Sequence, residues 1–243
     1  MLGRAREAPR PRYPKGIGPA PLGTSEVSQV FFEPLPSVPE RKQPAQPPWI
    51  GPSEAELGAA VPLRAMLASG KDVVIALTDC VAYSSGFEIG ISVRSREPIE
   101  NNMMGWGRPP EPGKALPDDL LRIGVQFADS RKATTIGPHG AQFEEFLAAV
   151  REGREAQPPE GPLMMQRGGG GGGRRWDQRY WVWTLPPRGT LAIACEWPAK
   201  GIPLTMHEVD ADLIRDAAAK STRLWEEGDS PGDTTKAWVS RRT

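Results

Sequence analysis

Between Phe87 and Arg94 the chain alternates without a break: Phe87, Ile89, Ile91 and Val93 are apolar, while Glu88, Gly90, Ser92 and Arg94 are small or polar. Successive side chains of a strand point to opposite faces, so the pattern describes a strand with one face buried and the other wet. A helix, with its period of 3.6, cannot gather such residues onto one side. The preceding run, 73–82, carries Val73, Ile75, Leu77 and Val81 on one face, and Ser84-Ser85-Gly86 turns it into the Phe87 strand.

The same signals recur. Ile123, Val125 and Phe127 alternate, and Asp129-Ser130 predicts a hairpin turn into residues 132–136. Residues 176–185 and 190–197 form a hairpin around Pro186-Pro187-Arg188-Gly189, and a second hairpin turns at 198–201 into 202–209. There is no βαβ alternation and no repeat at a fixed period. The expected fold is mainly β, an antiparallel β-sandwich or barrel-like domain with one C-terminal helix and one or two short helices. Asp210 or Asp212 caps the C-terminal helix, which carries Leu213, Ile214, Ala217, Leu224 and Trp225 along one side and ends at Gly228. Ser53 and Glu56 have capping-box spacing for a short helix to about residue 60, and Phe143, Phe146, Leu147 and Val150 predict another over 142–150.

Composition sets the limits of the domain. The 243 residues include 27 prolines and 27 glycines, which favours turns and short strands. Proline fixes φ and removes a donor, and its density over residues 1–48 predicts a disordered arm, with a possible edge strand at 27–32. A single domain is expected over 49–227, with a glycine-rich loop at 168–173 and a flexible tail at 228–243.

Thirty basic and thirty acidic residues cancel, so no global field draws the chain to nucleic acid or an anionic membrane. No run approaches the roughly 20 apolar residues that span a bilayer, and no apolar stretch follows the basic start as a secretory signal requires. The expected setting is cytoplasmic. Cys80 and Cys195 each sit in an apolar strand-like run without CxxC or Cys/His spacing, which predicts buried free thiols. No cofactor or metal is expected.

Catalytic motifs fail on context. The glycines 168–173 are followed by Arg174-Arg175-Trp176 and a strand, where a phosphate loop has Lys, Ser or Thr and a helix. Ser84-Ser85-Gly86 does not match a nucleophile elbow. Asp118 and Asp119 are adjacent and so point apart. A hairpin turning at 198–201 places Ala192 opposite His207 and Glu196 opposite Pro203, which keeps His207 and Glu196 from acting as a pair.

Two regions remain. On the 176–185 strand Asp177, Arg179, Trp181 and Trp183 share one face, and Trp176, Tyr180 and Val182 the other, so both faces are expected to be covered. Trp176, Asp177, Arg179 and Tyr180, nearest the glycine run, are the candidate platform at the sandwich rim for a sugar, a base or a peptide. Met103, Met104 and Trp106 lie in a loop rich in Gly and Pro, where apolar side chains either tuck onto the domain or await a partner.

The expected function is that of a binding or interaction module for a protein or small ligand. The alternative is a hydrolase or isomerase using Glu88, Asp177 or Glu196 on a strand face. A third reading, weak nucleic-acid docking through the basic arm and Arg174-Arg175, ranks last because the net charge is zero.

Trp176-Asp177-Gln178, Tyr180-Trp181-Val182-Trp183, Leu185-Pro186-Pro187, Gly189, Cys195-Glu196-Trp197-Pro198 and Gly201-Ile202-Pro203 resemble the motifs of a family of uncharacterised β-rich actinobacterial proteins. Gly86-Phe87-Glu88 and 124–129 are similar to its earlier motifs, and the chain departs at Ser130, where a glycine suits the turn, and in the helical-looking insert 142–150. The resemblance covers about 49–225. It implies the domain limits and a bacterial cytoplasmic setting, and carries over no activity or catalytic residue.

Overall fold

The alternation at residues 87–94 is a strand in the middle of a sheet. The computed structural model describes residues 47–99, 113–136, 145, 148, 149, 152, 154 and 158–225. The arm up to residue 46, the loop residues Met103, Met104 and Trp106, and the expected tail lie outside the described residues. So does most of the expected 142–150 helix, of which Glu145, Ala148 and Ala149 are described and helical.

In chain order the strands are β1 (Glu56–Leu57), β2 (Ala59–Val61), β3 (Ala65–Ser69), β4 (Val73–Tyr83), β5 (Gly86–Ser95), β6 (Arg122–Gln126) and β7 (Lys132–Thr134). β8 (Leu163–Gly172), β9 (Arg175–Trp183), β10 (Thr190–Trp197) and β11 (Ile202–Asp210) follow, then helix α1 (Ala211–Ala218) and β12 (Thr222–Arg223). One six-stranded sheet runs β2-β4-β5-β9-β8, with β3 also on β4; a four-stranded sheet runs β11-β10-β6-β7; β1 and β12 pair apart. Every pairing is antiparallel. The architecture is a sandwich of two open sheets, not a closed barrel.

Phe87, Ile89, Ile91 and Val93 of β5 meet Ile123 and Val125 of β6 and Leu191, Ile193 and Trp197 of β10 in one buried cluster. Each such side chain contributes roughly 1.5–3 kcal/mol through burial. The Trp197 indole donates to the Asp119 carbonyl at 2.9 Å, so its one polar atom is satisfied in the core. α1 adds Ala211, Ile214, Ala217 and Ala218 to the same cluster.

Four departures from the sequence-based expectations have local causes. A bulge between Leu77 and Asp79 reverses the phase of β4, so Cys80 and Ala82 point into the core and Val81 does not. A bulge between Cys195 and Trp197 shifts the β10–β11 register, so His207 faces Ile193 rather than Ala192. Residues 53–60 form a turn and two short strands, not a helix: the Glu56 carboxylate accepts from the Ser84 amide (2.7 Å) and hydroxyl (2.8 Å), and Glu56 and Leu57 pair with Arg223 and Thr222. That pairing also stops α1 at Ala218, far short of Gly228, where the Ser221 hydroxyl donates to the Ala218 carbonyl at 2.8 Å. Asp210 caps the helix start by accepting from the Asp212 amide at 2.9 Å, as expected.

The fifth departure matters most for function. The glycine run is no loop: Gly168–Gly172 belong to β8 and are paired along β9 from Gly169 onward, Gly169 with Gln178, Gly170 with Asp177, Gly171 with Trp176 and Gly172 with Arg175.

Candidate functional site

β9 divides its side chains as its period of two demands. Trp176 and Tyr180 point inward and are buried, each 4% exposed, so they are core residues and not a rim platform. Burial, with a smaller effect of the neighbouring Cys195, pushes the Tyr180 hydroxyl above its ordinary range. Gln178, also inward, donates to the Gly168 carbonyl (3.0 Å) and accepts from Gln166 (3.0 Å), stitching the bulge in β8.

The outward face is covered at one end and open at the other. Trp181 donates to the Pro48 carbonyl at 3.0 Å and meets the Tyr83 ring edge-on at 5.6 Å, while Trp49 packs on Trp183 at 6.2 Å. Arg167 donates to the Ile50 carbonyl at 3.3 Å. These contacts cover the tryptophan end, as expected for a strand with aromatics on both sides. Toward Arg175 no described residue continues the cover, and Asp177 and Arg179 lie in a concavity of about 400 Å³ on the outer face of β4, β5, β9 and β8.

Two ion clusters flank this groove. Asp177 accepts from the Ser92 hydroxyl (2.6 Å), Arg94 Nη1 (2.9 Å) and Arg175 Nε (2.6 Å). Burial alone raises a carboxyl pKa, yet these three donors overcome it and hold Asp177 down at about 2. On the other side Asp79 accepts from the Thr78 hydroxyl at 2.9 Å and pairs with Arg179 Nη2 at 2.9 Å, and Arg179 Nη1 lies 3.8 Å from Glu88. Gly90 makes room for Asp79, and Gly168, Gly169 and Gly170 line the far wall.

The other candidate carboxylate lies elsewhere. Glu196, in the second sheet, pairs with Arg122 at 2.5 Å, and Arg122 also donates to the Leu116 (3.2 Å) and Pro117 (3.1 Å) carbonyls. His207 sits three register positions along the strand pair, opposite Ile193, so it does not join Glu196. Among the described residues no His, Cys, Asp and Glu cluster is arranged to hold a metal ion.

Of the candidate residues, the structure brings Asp177 and Arg179 to the groove and sends Trp176 and Tyr180 to the core. Asp79, Arg94, Gly90 and the outward glycines were missed. Two signals pointed to them: the Thr78-Asp79 pair interrupting an apolar strand, which marks a bulge, and Gly90 within a strand, which marks close approach. Comparison with protein-family models, curated proteins and solved structures finds no match to this chain. No helix among the described residues is long and apolar enough to cross a membrane.

Proposed function

We propose that this chain is a recognition module that binds a polar ligand in the groove between Asp79–Arg179 and Asp177–Arg175. The observation that carries this reading is the alternation of steric demand along the glycine run. A Cβ on Gly169 would meet Gln178 Oε1 at 2.5 Å, and one on Gly171 would meet the Trp176 Cα at 2.7 Å, so packing within the chain requires those two glycines. Among the described residues, a Cβ on Gly168, Gly170 or Gly172 meets nothing within 4 Å. No described residue asks for glycine there, and glycine in a strand costs stability, so the bare backbone suits a ligand that approaches it closely.

Recognition suits the groove better than the alternative hydrolase. A general acid holds its proton near neutral pH, and Asp177 at about 2 is ionised there. Glu88 shares Arg179 with Asp79. Arginine forks paired to carboxylates present fixed donors, which is the equipment of a carboxylate-binding surface.

The test is an amide chemical-shift titration of the full chain with succinate, glutarate and short peptides. The Gly168, Gly170, Asp177 and Arg179 amides are expected to move with at least one ligand, and Gly170→Val is expected to abolish the response with the fold retained. If no ligand moves them, the reading is wrong.

A further inference from the structure

We infer that the ligand is an extended segment of a partner protein bearing acidic side chains, which adds to the six-stranded sheet as a further strand along the glycine half of β8. The inference rests on the recognition reading and names its partner.

The sheet edges differ in how they are protected. An unpaired strand edge invites another chain, and proteins blunt such edges with short strands, prolines and charges. β2 and β7 have three residues each, and β3, which shares an edge of β4 with β2, has five. β11, at an edge of the four-stranded sheet, carries Pro203, Glu208 and Asp210. β8 has ten residues, ends the six-stranded sheet, and among the described residues pairs with β9 alone. Its last five residues have no side chain at all, so no side chain of this strand deflects an incoming backbone.

The chemistry beside that edge selects the segment's side chains. Gly170 and Gly172 lie opposite Asp177 and Arg175, whose side chains stand on the outer face. A strand added to β8 would lie about 10 Å from β9, and its outward side chains would meet those of β9 directly over the bare glycines. Arg94 and Arg175 both pair with the single carboxylate of Asp177, so positive charge is in local excess at the Arg175 end of the groove, while Asp79 and Glu88 share Arg179 at the other end. Arg175 engages Asp177 through Nε and its side chain is 68% exposed, so the rest of its fork is available to a carboxylate reaching across the glycines. Main-chain pairing then supplies affinity, and alternate acidic side chains supply selectivity.

The experiment is fluorescence anisotropy with the full chain and labelled, capped ten-residue peptides. One alternates threonine and glutamate, a second has lysine for glutamate, and a third is the glutamate peptide N-methylated at alternate residues. The glutamate peptide is expected to bind, the lysine peptide to bind at least tenfold more weakly, and the N-methylated peptide to lose binding. Arg175→Gln is expected to weaken the glutamate peptide at least fivefold with an unchanged far-ultraviolet circular dichroism spectrum. Equal binding of the N-methylated or the lysine peptide overturns the inference. So does failure of the glutamate peptide to bind while succinate or glutarate still shifts the groove amides, an outcome that leaves the recognition reading standing. If neither peptides nor dicarboxylates act on the groove, both fall.

Discussion

The Asp79 carboxylate lies across the bare Cα of Gly90, so close that a methyl group there would press inside van der Waals contact of Oδ2 and come within 2.8 Å of Thr78 Oγ1. Gly90→Ala is therefore expected to expel Asp79 from its pairing with Arg179 and to cost about 1–3 kcal/mol, an overpacking penalty. Arg179→Ala alone removes a half-exposed ion pair and is expected to cost under about 1 kcal/mol. Urea denaturation of both variants measures the difference. Equal losses would show that the glycine does not position the carboxylate.

Asp177 makes the protein's stability sensitive to acid. Its pKa falls from 3.8 to about 2 on folding. The stabilisation is fully present above the unfolded value and is lost as pH drops through the range from about 4 to 2. Asp177→Asn is thus expected to lower the urea midpoint at pH 7 and to lose much of that effect by about pH 2.5. A midpoint difference independent of pH contradicts this.

The glycine run separates fold from ligand. Gly169→Ala and Gly171→Ala are expected to destabilise by about 1–3 kcal/mol, because each Cβ meets β9. Gly170→Ala and Gly172→Ala are expected to be neutral, or stabilising by up to about 1 kcal/mol. Thermal melts of the four single variants decide it, and a uniform loss across all four would remove the steric alternation.

Ser130 holds φ of 69° in the β6–β7 turn, the left-handed region that L residues occupy at a cost. Its amide donates to the Phe127 carbonyl at 2.9 Å, so the turn enforces the conformation. Ser130→Gly is expected to raise stability by about 0.5–1 kcal/mol, net of the entropy glycine loses on folding. An unchanged or lower denaturation midpoint counts against it.

Cys80 and Cys195 are free and buried, and burial pushes each thiol up to about 12, with a smaller contribution from Asp79 and Glu196 respectively. The thiolate is the reactive form, so neither is expected to react with iodoacetamide at pH 8 in the native state. Both are expected to be alkylated in 6 M guanidinium, as mass spectrometry will report. Fast native labelling of either would place it outside the core.

What could be foreseen depended on whether a strand is continuous. β5 has no bulge within 87–94, so Phe87 to Val93 announced their faces directly. β4 and β11 each insert one residue, and counting by twos past Thr78, or across Pro203-Leu204, sends Val81 and His207 to the wrong place. Glycine propensity made 168–172 look like a loop, because the partner that orders it, β9, lies across a turn and rewards pairing that propensity ignores. Asp177 and Arg179 were visible as polar residues sharing one strand face. Their partners Asp79 and Arg94 were not, since only the order of strands in the sheet brings β4 and β5 beside β9.

The small ladder of β1 on β12 sets Glu56 opposite Arg223, and the Leu224 amide donates to the Ala55 carbonyl at 2.7 Å. The first and last strands thus stand side by side, about 5 Å apart, with residues 48–50 packed ahead of them on β8 and β9. Such a body can be spliced into a surface loop of a host protein, or circularly permuted, with no strand stretched to bridge a gap.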